Sequence, residues 1–255
     1  MRRRCRGRMT YATFRFYARL NDFLPLDRRG LAFSCHCARA ATTKHMIEAL
    51  GVPHTEVALV LVNGQPAGLD WPVDHGDRVA VYPKFEQLDI SGLTAIDPLP
   101  PGPLRFVADA HLGGLARLLR MAGFDTLYDN AYEDRPMAEL ANRERRILLT
   151  RDRALLMHRV VSHGCYVHAL KPVEQLRELY ARLDLAGHAQ PFSLCMGCNR
   201  PLKAVRKQDV LHRLPDRVRQ RHERILSCDG CDKLFWEGSH WQDMRALLET
   251  LTSRS

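Results

Sequence analysis

The sequence predicts an α/β protein in three parts: a small β-grasp-like domain, a parallel β-sheet with helices on both faces, and a short zinc-binding module. Three observations predict this arrangement. Short strands surround one helix in the first third of the chain, strand and helix patterns then alternate, and two Cys-x-x-Cys motifs follow near the end. We expect the parts to span residues 10–89, 104–190 and 191–247, with a proline-rich linker over residues 90–103.

The composition is that of a folded protein that can bury a hydrophobic core. The chain has 255 residues, 45% of them hydrophobic and 26% charged, and no apolar run approaches the roughly 20 residues needed to span a bilayer. Residues 1–8 carry five arginines and lead into no apolar segment, which excludes a secretory signal. We therefore expect a cytoplasmic protein with no membrane partner.

The net charge of +9 is concentrated in two places. Residues 1–8 contribute +5, and residues 200–224 contribute +6 from nine Lys and Arg against three acidic residues, which leaves the rest of the chain slightly acidic. Such separate basic surfaces are typical of a protein that binds a polyanion. For residues 1–8 two alternatives stay open: a disordered tail, or a segment that is not made because translation starts at Met9.

The first domain is predicted from alternating strands and one helix. Its elements are a strand over residues 13–18, a helix over 43–50, and strands over 56–62 and 78–82. Asn63-Gly64 predicts a tight hairpin turn after the second strand. Cys35-His36-Cys37 has the residue types of a metal site, but neighbours in an extended chain point to opposite faces, so we interpret these cysteines as ordinary thiols.

Prolines in the linker exclude a helix or a central strand there and mark a domain boundary. Beyond it, strands and helices alternate. The predicted strands cover residues 105–108, 126–128, 147–150 and 164–170, and the predicted helices cover 112–121, 136–145 and 173–183. Repeated β-α-β units of this kind form a parallel sheet covered by helices.

Acidic residues follow the strands of this predicted sheet. Asp109, Asp129 and Asp152 each come at or just after a strand end, and the acids Asp125, Glu133 and Asp134 lie near the second strand. The carboxyl ends of parallel strands meet at one edge, where crowded carboxylates repel one another unless cations bind. We expect the six to form a catalytic cluster in which Asp109, Asp152 and Asp134 bind Mg²⁺ or Mn²⁺.

A single aspartate at a strand end is often only a helix N-cap, and Asp125 or Asp134 fits that alternative. For Asp109 and Asp152 together we favour metal ligation, because each follows an apolar strand of the same sheet. Arg151 and Arg153 flank Asp152, where they either contact phosphate or neutralise the acidic edge.

Two Cys-x-x-Cys motifs predict a zinc site with four thiolate ligands, Cys195, Cys198, Cys228 and Cys231. A closed site of four thiolates leaves no position for a substrate, so we expect zinc to fold the module. The basic segment between the motifs predicts nucleic-acid contacts, with a solvated charged helix as the alternative. The arginines expected to make these contacts are Arg217, Arg219, Arg221 and Arg224.

The second and third parts of the chain contain five specific motifs. They are Phe106-Val107-Ala108-Asp109, Leu112-Gly113-Gly114-Leu115-Ala116-Arg117-Leu118-Leu119-Arg120, Gly123-Phe124-Asp125-Thr126-Leu127-Tyr128, Ile147-Leu148-Leu149-Thr150-Arg151-Asp152-Arg153 and Trp236-Glu237-Gly238-Ser239-His240-Trp241. Together these motifs resemble the Mut-seven C-terminal RNase domain. The resemblance implies a PIN-like nuclease fold, a zinc ribbon and metal-dependent RNA cleavage by acids. Residues 10–89 resemble the ubiquitin-like domain that often precedes this RNase domain, but Tyr82-Pro83 replaces the Gly-Gly tail of related sulfur carriers.

The resemblance assigns Asp109 and Asp152 to the strand-end acids of the family and Asp125 to its Gly-aromatic-Asp motif. Ala131 stands where the family pattern has an acid, although the following acidic pair is matched by Glu133 and Asp134. The leading hypothesis is therefore a metal-dependent ribonuclease acting on RNA, with tRNA and rRNA as candidate substrates. The alternative is an RNA- or ribosome-binding adaptor with weak catalysis, and the ubiquitin-like domain suits a protein partner in either case.

Overall fold

The computed structural model describes residues 10–84, 96 and 99–252. The arginine-rich residues 1–8, the Met9 start and most of the proline-rich linker lie outside these ranges. No helix within them is long and apolar enough to cross a membrane.

The described residues form twelve strands and eight α-helices. The strands are β1 (Thr10–Phe16), β2 (Ala32–Cys37), β3 (Val57–Val62), β4 (Gln65–Ala67), β5 (Arg78–Pro83), β6 (Phe106–Ala108), β7 (Thr126–Tyr128), β8 (Ile147–Thr150), β9 (Gly164–Tyr166), β10 (Leu202–Val205), β11 (Ile225–Cys228) and β12 (Leu234–Trp236). The helices are α1 (Thr43–Ala49), α2 (Gly113–Met121), α3 (Asp134–Arg143), α4 (Arg153–Leu156), α5 (Pro172–Leu183), α6 (Lys207–Val210), α7 (Asp216–Arg221) and α8 (Ser239–Thr252).

The N-terminal domain is a five-stranded sheet in the order β2-β1-β5-β3-β4, with β1 and β5 parallel and the other pairs antiparallel. Phe14, Phe16 and Ile47 are fully buried in its core, which joins the sheet to α1. The predicted Asn63-Gly64 hairpin is present between β3 and β4. Both residues adopt left-handed φ angles, +53° and +81°, as a tight turn between twisted strands requires.

The second domain is a four-stranded sheet in the order β7-β6-β8-β9, and every pair is parallel. Because side chains alternate along a strand, Phe106 of β6 faces the core formed with α2, α5 and α8, and Val107 faces the core formed with α3 and α4. The prediction of a parallel sheet with helices on both faces is confirmed.

The residue that follows the end of α2 packs closely against the segment that leads into the C-terminal part of the chain. Gly123 has φ +92°, and a Cβ atom there would lie 2.1 Å from the carbonyl oxygen of Gln190, so glycine is required for the close approach. Beyond Gln190 the strands β10, β11 and β12 form an antiparallel sheet. Helix α8 then returns to the second domain, where Met244 and Leu248 are buried in its core.

The N-terminal domain packs against β9, an edge strand of the parallel sheet. Glu56 has a fully buried side chain that accepts hydrogen bonds from Tyr166 N–H and from the Arg182 guanidinium, both at 2.6 Å. The backbone carbonyl of Phe23 accepts a hydrogen bond from Arg153 at 3.1 Å. The N-terminal domain thus covers an otherwise open sheet edge and reaches the segment that follows β8.

Candidate functional site

Asp109 and Asp152 lie at the carboxyl edge of the parallel sheet, joined by one hydroxyl group. Asp109 directly follows β6, and Asp152 follows the neighbouring strand β8 by two residues. Thr150, which is fully buried, donates a hydrogen bond to Asp109 Oδ2 at 2.7 Å, and its oxygen accepts one from Asp152 N–H at 3.0 Å. The structure therefore brings the two strongest sequence candidates to the same part of this edge.

Asp129, Glu133 and Asp134 lie beyond the end of β7, the strand on the other side of β6. Asp129 Oδ1 accepts a hydrogen bond from Ala131 N–H at 2.9 Å, which fixes a turn over residues 129–131. Glu133 precedes α3 without capping it through its side chain, and Asp134 is the first residue of that helix. All three side chains are exposed to solvent.

Each of the three strand-end carboxylates is anchored through one oxygen. Asp109 uses Oδ2 toward Thr150, Asp129 uses Oδ1 toward Ala131, and Asp152 uses Oδ1 to cap α4 through Ala154 N–H at 2.7 Å. The second oxygen of each makes no hydrogen bond with any residue that the structure describes. Asp152 is therefore a helix N-cap that keeps one oxygen available for another ligand, whereas neither Asp125 nor Asp134, for which the N-cap alternative was raised, is an N-cap among the described helices.

The edge does not contain a preformed ligand set of three carboxylates. Within the described ranges, the four cysteines near the C-terminus are the one group of three or more His, Cys, Asp or Glu side chains placed closely enough to hold an ion. Mg²⁺ commonly binds proteins through only one or two carboxylates and keeps several of its waters. Asp109 and Asp152 fit that mode of binding.

Asp125 lies at the opposite, amino edge of the sheet, and the expectation that it joins the acidic cluster is wrong. Its carboxylate accepts hydrogen bonds from Arg146 at 2.9 Å and from the Asn199 side chain at 2.5 Å. Partial burial raises the pKa of Asp125, but these two donors outweigh burial and hold its pKa below the usual 3.8. The physical reason is strand direction, since Asp125 precedes β7 whereas Asp109 follows β6.

The arginines beside Asp152 differ in their surroundings. Arg151 is exposed and makes no ion pair with a described residue. Arg153 bonds to the Phe23 carbonyl oxygen, and its guanidinium lies 5.1 Å from the centre of the Phe23 ring. Arg153 therefore holds the N-terminal domain beside the carboxyl edge, whereas the side chain of Arg151 stays exposed there.

The four predicted zinc ligands come together in the C-terminal part. Their sulfur atoms all lie within 4.8 Å of one another, with Cys195 and Cys231 3.5 Å apart and Cys198 and Cys228 3.3 Å apart. Zn–S bonds of about 2.3 Å in a tetrahedron place the sulfurs about 3.8 Å apart, so this spacing fits one zinc ion. Burial raises the pKa of the Cys195 thiol to about 12, and a bound metal ion would offset this by favouring the thiolate.

The first cysteine loop is attached to the amino edge of the parallel sheet. Arg120 of α2 donates hydrogen bonds to the carbonyl oxygens of Met196 at 3.2 Å and Gly197 at 2.9 Å. Asn199 accepts a hydrogen bond from Thr126 N–H at 3.0 Å, while its amide group binds Asp125. The zinc module and the strand-end acids therefore occupy opposite edges of one sheet.

The basic segment of the module is only partly neutralised. Arg219 pairs with Asp216 at 3.2 Å, and Arg224 pairs with Glu237 at 3.4 Å, both on the exposed surface. Arg217 and Arg221 form no ion pair with a described residue and lie four residues apart in sequence, on one face of α7.

Three polar residues that position these sites were not singled out from the sequence. Thr150 ends the apolar strand β8 two residues before Asp152, Asn199 directly follows the first cysteine pair, and Arg120 interrupts the apolar pattern of α2. A buried polar residue next to a candidate ligand is a usable signal, but its partner is set by tertiary structure.

Cys165 of β9 is an ordinary buried thiol, since burial raises its pKa to about 12.

Both larger parts of the chain match models of known protein families. Residues 104–248 match the model of the Mut7-C RNAse domain, and residues 9–89 match the model named Mut7-C ubiquitin. Among solved structures, the chain is similar to H. volcanii small archaeal modifier protein 1, at 20% identity over 30% of this chain and 99% of that chain, with a TM-score of 0.25. No curated protein matches the chain.

Proposed function

The chain belongs to the Mut7-C RNAse domain family, and we propose from that premise that it is a metal-dependent ribonuclease whose reaction centre is the carboxyl edge of the parallel sheet. The observation that carries the proposal is the pair Asp109 and Asp152, linked by Thr150, each with a carboxylate oxygen that accepts no hydrogen bond from a described residue. Asp129 and Asp134 lie at the same edge and can bind through water.

The site suits Mg²⁺ or Mn²⁺ because the available ligands are carboxylate oxygens. When bound, the ion supplies charge compensation for an RNA phosphate and lowers the pKa of a water molecule. Thr150 holds the Asp109 carboxylate in place, and the backbone of α4 holds Asp152. Arg151 contributes positive charge where a phosphate approaches.

The four thiolates are proposed to bind a structural zinc ion that folds the C-terminal module. Its basic surface, with Arg217 and Arg221 most available, attracts the RNA backbone irrespective of sequence. The ubiquitin-like domain is proposed to bind a protein partner, since it has its own core and matches a ubiquitin model.

An RNA-binding adaptor without turnover is the second candidate. Ala131 at a position where the family pattern has an acid favours it, and so does the lack of a set of three carboxylates among the described residues. In that case the basic surface binds RNA and the acidic edge has no metal-dependent role.

Cleavage of RNA by the purified, zinc-loaded chain tests the proposal. We expect labelled single-stranded RNA to be cut with Mg²⁺ or Mn²⁺ but not with EDTA, and we expect Asp109→Asn with Asp152→Asn to lower the rate at least about 100-fold, because both charges at the edge are lost. Asp129→Asn alone is expected to have a smaller effect. Unchanged cleavage by the double variant contradicts the assignment, and binding without cleavage by the wild type supports the adaptor.

A further inference from the structure

A cavity of about 500 Å³ lies between the zinc module, the start of α8 and one side of α2. Leu202, Leu226 and Phe235 line it from neighbouring strands of the module. Because Leu226 pairs with Phe235 in adjacent strands, their side chains share one face of the small sheet. The volume lies within the range of sites that hold small organic groups, roughly 300–1,000 Å³.

These three side chains do not complete a hydrophobic core. Ile225, on the other side of the sheet, packs in an apolar cluster together with Trp236, which also lines the cavity. Leu202, Leu226 and Phe235 belong to none of the clusters formed by the described residues. They are partly buried and face the cavity. An apolar face that lines a cavity of this size has room for a flat ring.

The cavity is lined by two arginines, Arg117 and Arg224, and by one acid, Glu237. Arg117, on the exposed side of α2, makes no ion pair with a described residue, and Arg224 pairs only with Glu237 at 3.4 Å on the surface. Exposed pairs of this kind contribute little free energy, so Arg224 can exchange Glu237 for a phosphate. Arg117 also lies one turn beyond Gly113, the start of α2, and α2 begins just after Asp109.

Phe235 is the ring best placed to stack on a ligand. Trp241 also lines the cavity, but Phe192 stacks against it at 4.7 Å between ring centres and Arg245 lies 5.6 Å from its centre. No ring or cation of the described residues stacks on Phe235. An apolar wall with an available aromatic ring and two arginines at the rim suits an unpaired nucleobase with its phosphate.

We propose that this cavity binds one unpaired base of single-stranded RNA, with the base against Phe235 and the adjoining phosphates at Arg117 and Arg224. The proposal rests on the RNA-directed function proposed above and adds to it the place where the strand is held. Binding by stacking is tolerant of sequence, because every base has a flat aromatic face.

The test measures fluorescence anisotropy of labelled A10 and U10 oligoribonucleotides with the full-length, zinc-loaded chain. All proteins carry Asp109→Asn and Asp152→Asn, so that cleavage does not affect the signal. We expect Phe235→Leu to raise the Kd about tenfold for both oligomers, since it keeps an apolar group and removes stacking, and Phe235→Trp to retain affinity. Trp71→Leu is the matched control, because Trp71 is an exposed aromatic residue of the N-terminal domain.

Arg117→Gln is expected to weaken binding and to reduce the slope of log Kd against log salt by about 0.7, the value for one phosphate contact in a single strand. If Phe235→Leu fails to retain zinc, Arg117→Gln alone tests whether the cavity binds RNA. Wild-type affinity in zinc-loaded Phe235→Leu, or in Arg117→Gln with an unchanged salt slope, overturns the proposal. So does self-association that Phe235→Leu abolishes without any change in RNA affinity, which would identify a second copy as the occupant.

The outcome is separable from that of the ribonuclease proposal. Cleavage by the wild type combined with full affinity in Phe235→Leu rejects the cavity and keeps the enzyme. Binding that depends on Phe235, combined with no metal-dependent cleavage, rejects the enzyme and keeps the cavity.

Discussion

The two edges of the parallel sheet carry the same residue type in opposite situations. At the carboxyl edge, Asp109 and Asp152 are linked by a threonine hydroxyl, and each keeps an oxygen without a hydrogen bond to a described residue. At the amino edge, both oxygens of Asp125 are bonded, one to Arg146 and the other to Asn199. An aspartate at a strand end is therefore a candidate ligand or a structural connector according to which end of the strand it occupies.

The difference follows from what packs against each edge of the sheet. The zinc module packs against the amino edge. Arg120, Asn199 and Asp125 form hydrogen bonds in that contact, so their polar groups are not available to a ligand. The carboxyl edge receives loops and helix starts, which leave carboxylate oxygens facing solvent. Chemistry is expected at the second edge and folding stability at the first.

Removal of zinc is the largest disruption of the amino edge. Cys198→Ser is expected to abolish stoichiometric zinc binding and to unfold the module, because binding of structural zinc contributes on the order of 10 kcal/mol to such folds. Metal content by mass spectrometry and the fluorescence of Trp236 and Trp241 measure the effect. Cys35→Ser, at a partly buried thiol of the N-terminal sheet, serves as the control. One zinc per chain in Cys198→Ser contradicts the assigned ligand set.

Asp125→Asn separates stability from catalysis. We expect a loss of about 1–2 kcal/mol in the free energy of unfolding, since a charged partner of Arg146 is replaced by a neutral one on a half-exposed site. Cleavage of RNA should persist. Urea unfolding and the cleavage assay, run on the same preparation, measure the two quantities. Lost cleavage with unchanged stability contradicts the structural role.

The pH dependence of the same pair has a defined sign. The pKa of Asp125 is lowered in the folded state, so its stabilising contribution is complete above its unfolded value near 3.8 and is lost as the pH falls through the lower folded value. The difference in unfolding free energy between the wild type and Asp125→Asn should be largest at pH 7 and shrink below about pH 4. A constant difference from pH 7 to pH 3 disagrees with this account.

Thr150 offers the smallest and most local change at the carboxyl edge. Thr150→Val preserves the shape of the buried side chain and removes the hydroxyl that joins Asp109 to the Asp152 backbone, and we expect kcat to fall about tenfold with little change in KM. Thr150→Ser keeps the hydroxyl and should retain most of the activity. Equal kcat values for the valine variant and the wild type exclude a positioning role.

Much of this arrangement can be predicted from local sequence. Some features depend only on residues that are close together in sequence, and the structure contains them. They are the apolar runs of β6 and β8, the Asn63-Gly64 turn and the two cysteine motifs. Strand β2 was not predicted, because its sequence Ala-Phe-Ser-Cys-His-Cys has no β-branched residue and every residue but the last is exposed or only partly buried. Strand β4 is short and contains Pro66.

The candidate site was predictable only in part, for a related reason. Asp109 and Asp152 are recognisable because strand direction and position follow from the β-α-β pattern. The partners of Asp125 were not recognisable, since Asn199 lies 74 residues away and reaches it only when the zinc module docks. The contact of Arg153 with Phe23 depends in the same way on the packing of the N-terminal domain.

Binding of Mn²⁺ followed by electron paramagnetic resonance tests the distinction between the two edges most directly. The zinc-loaded wild type and Asp125→Asn should bind Mn²⁺ with the same stoichiometry, whereas Asp109→Asn with Asp152→Asn should lose that binding. Retained Mn²⁺ binding in the double variant, or its loss in Asp125→Asn with the fold intact, would contradict the assignment of the metal site to the carboxyl edge.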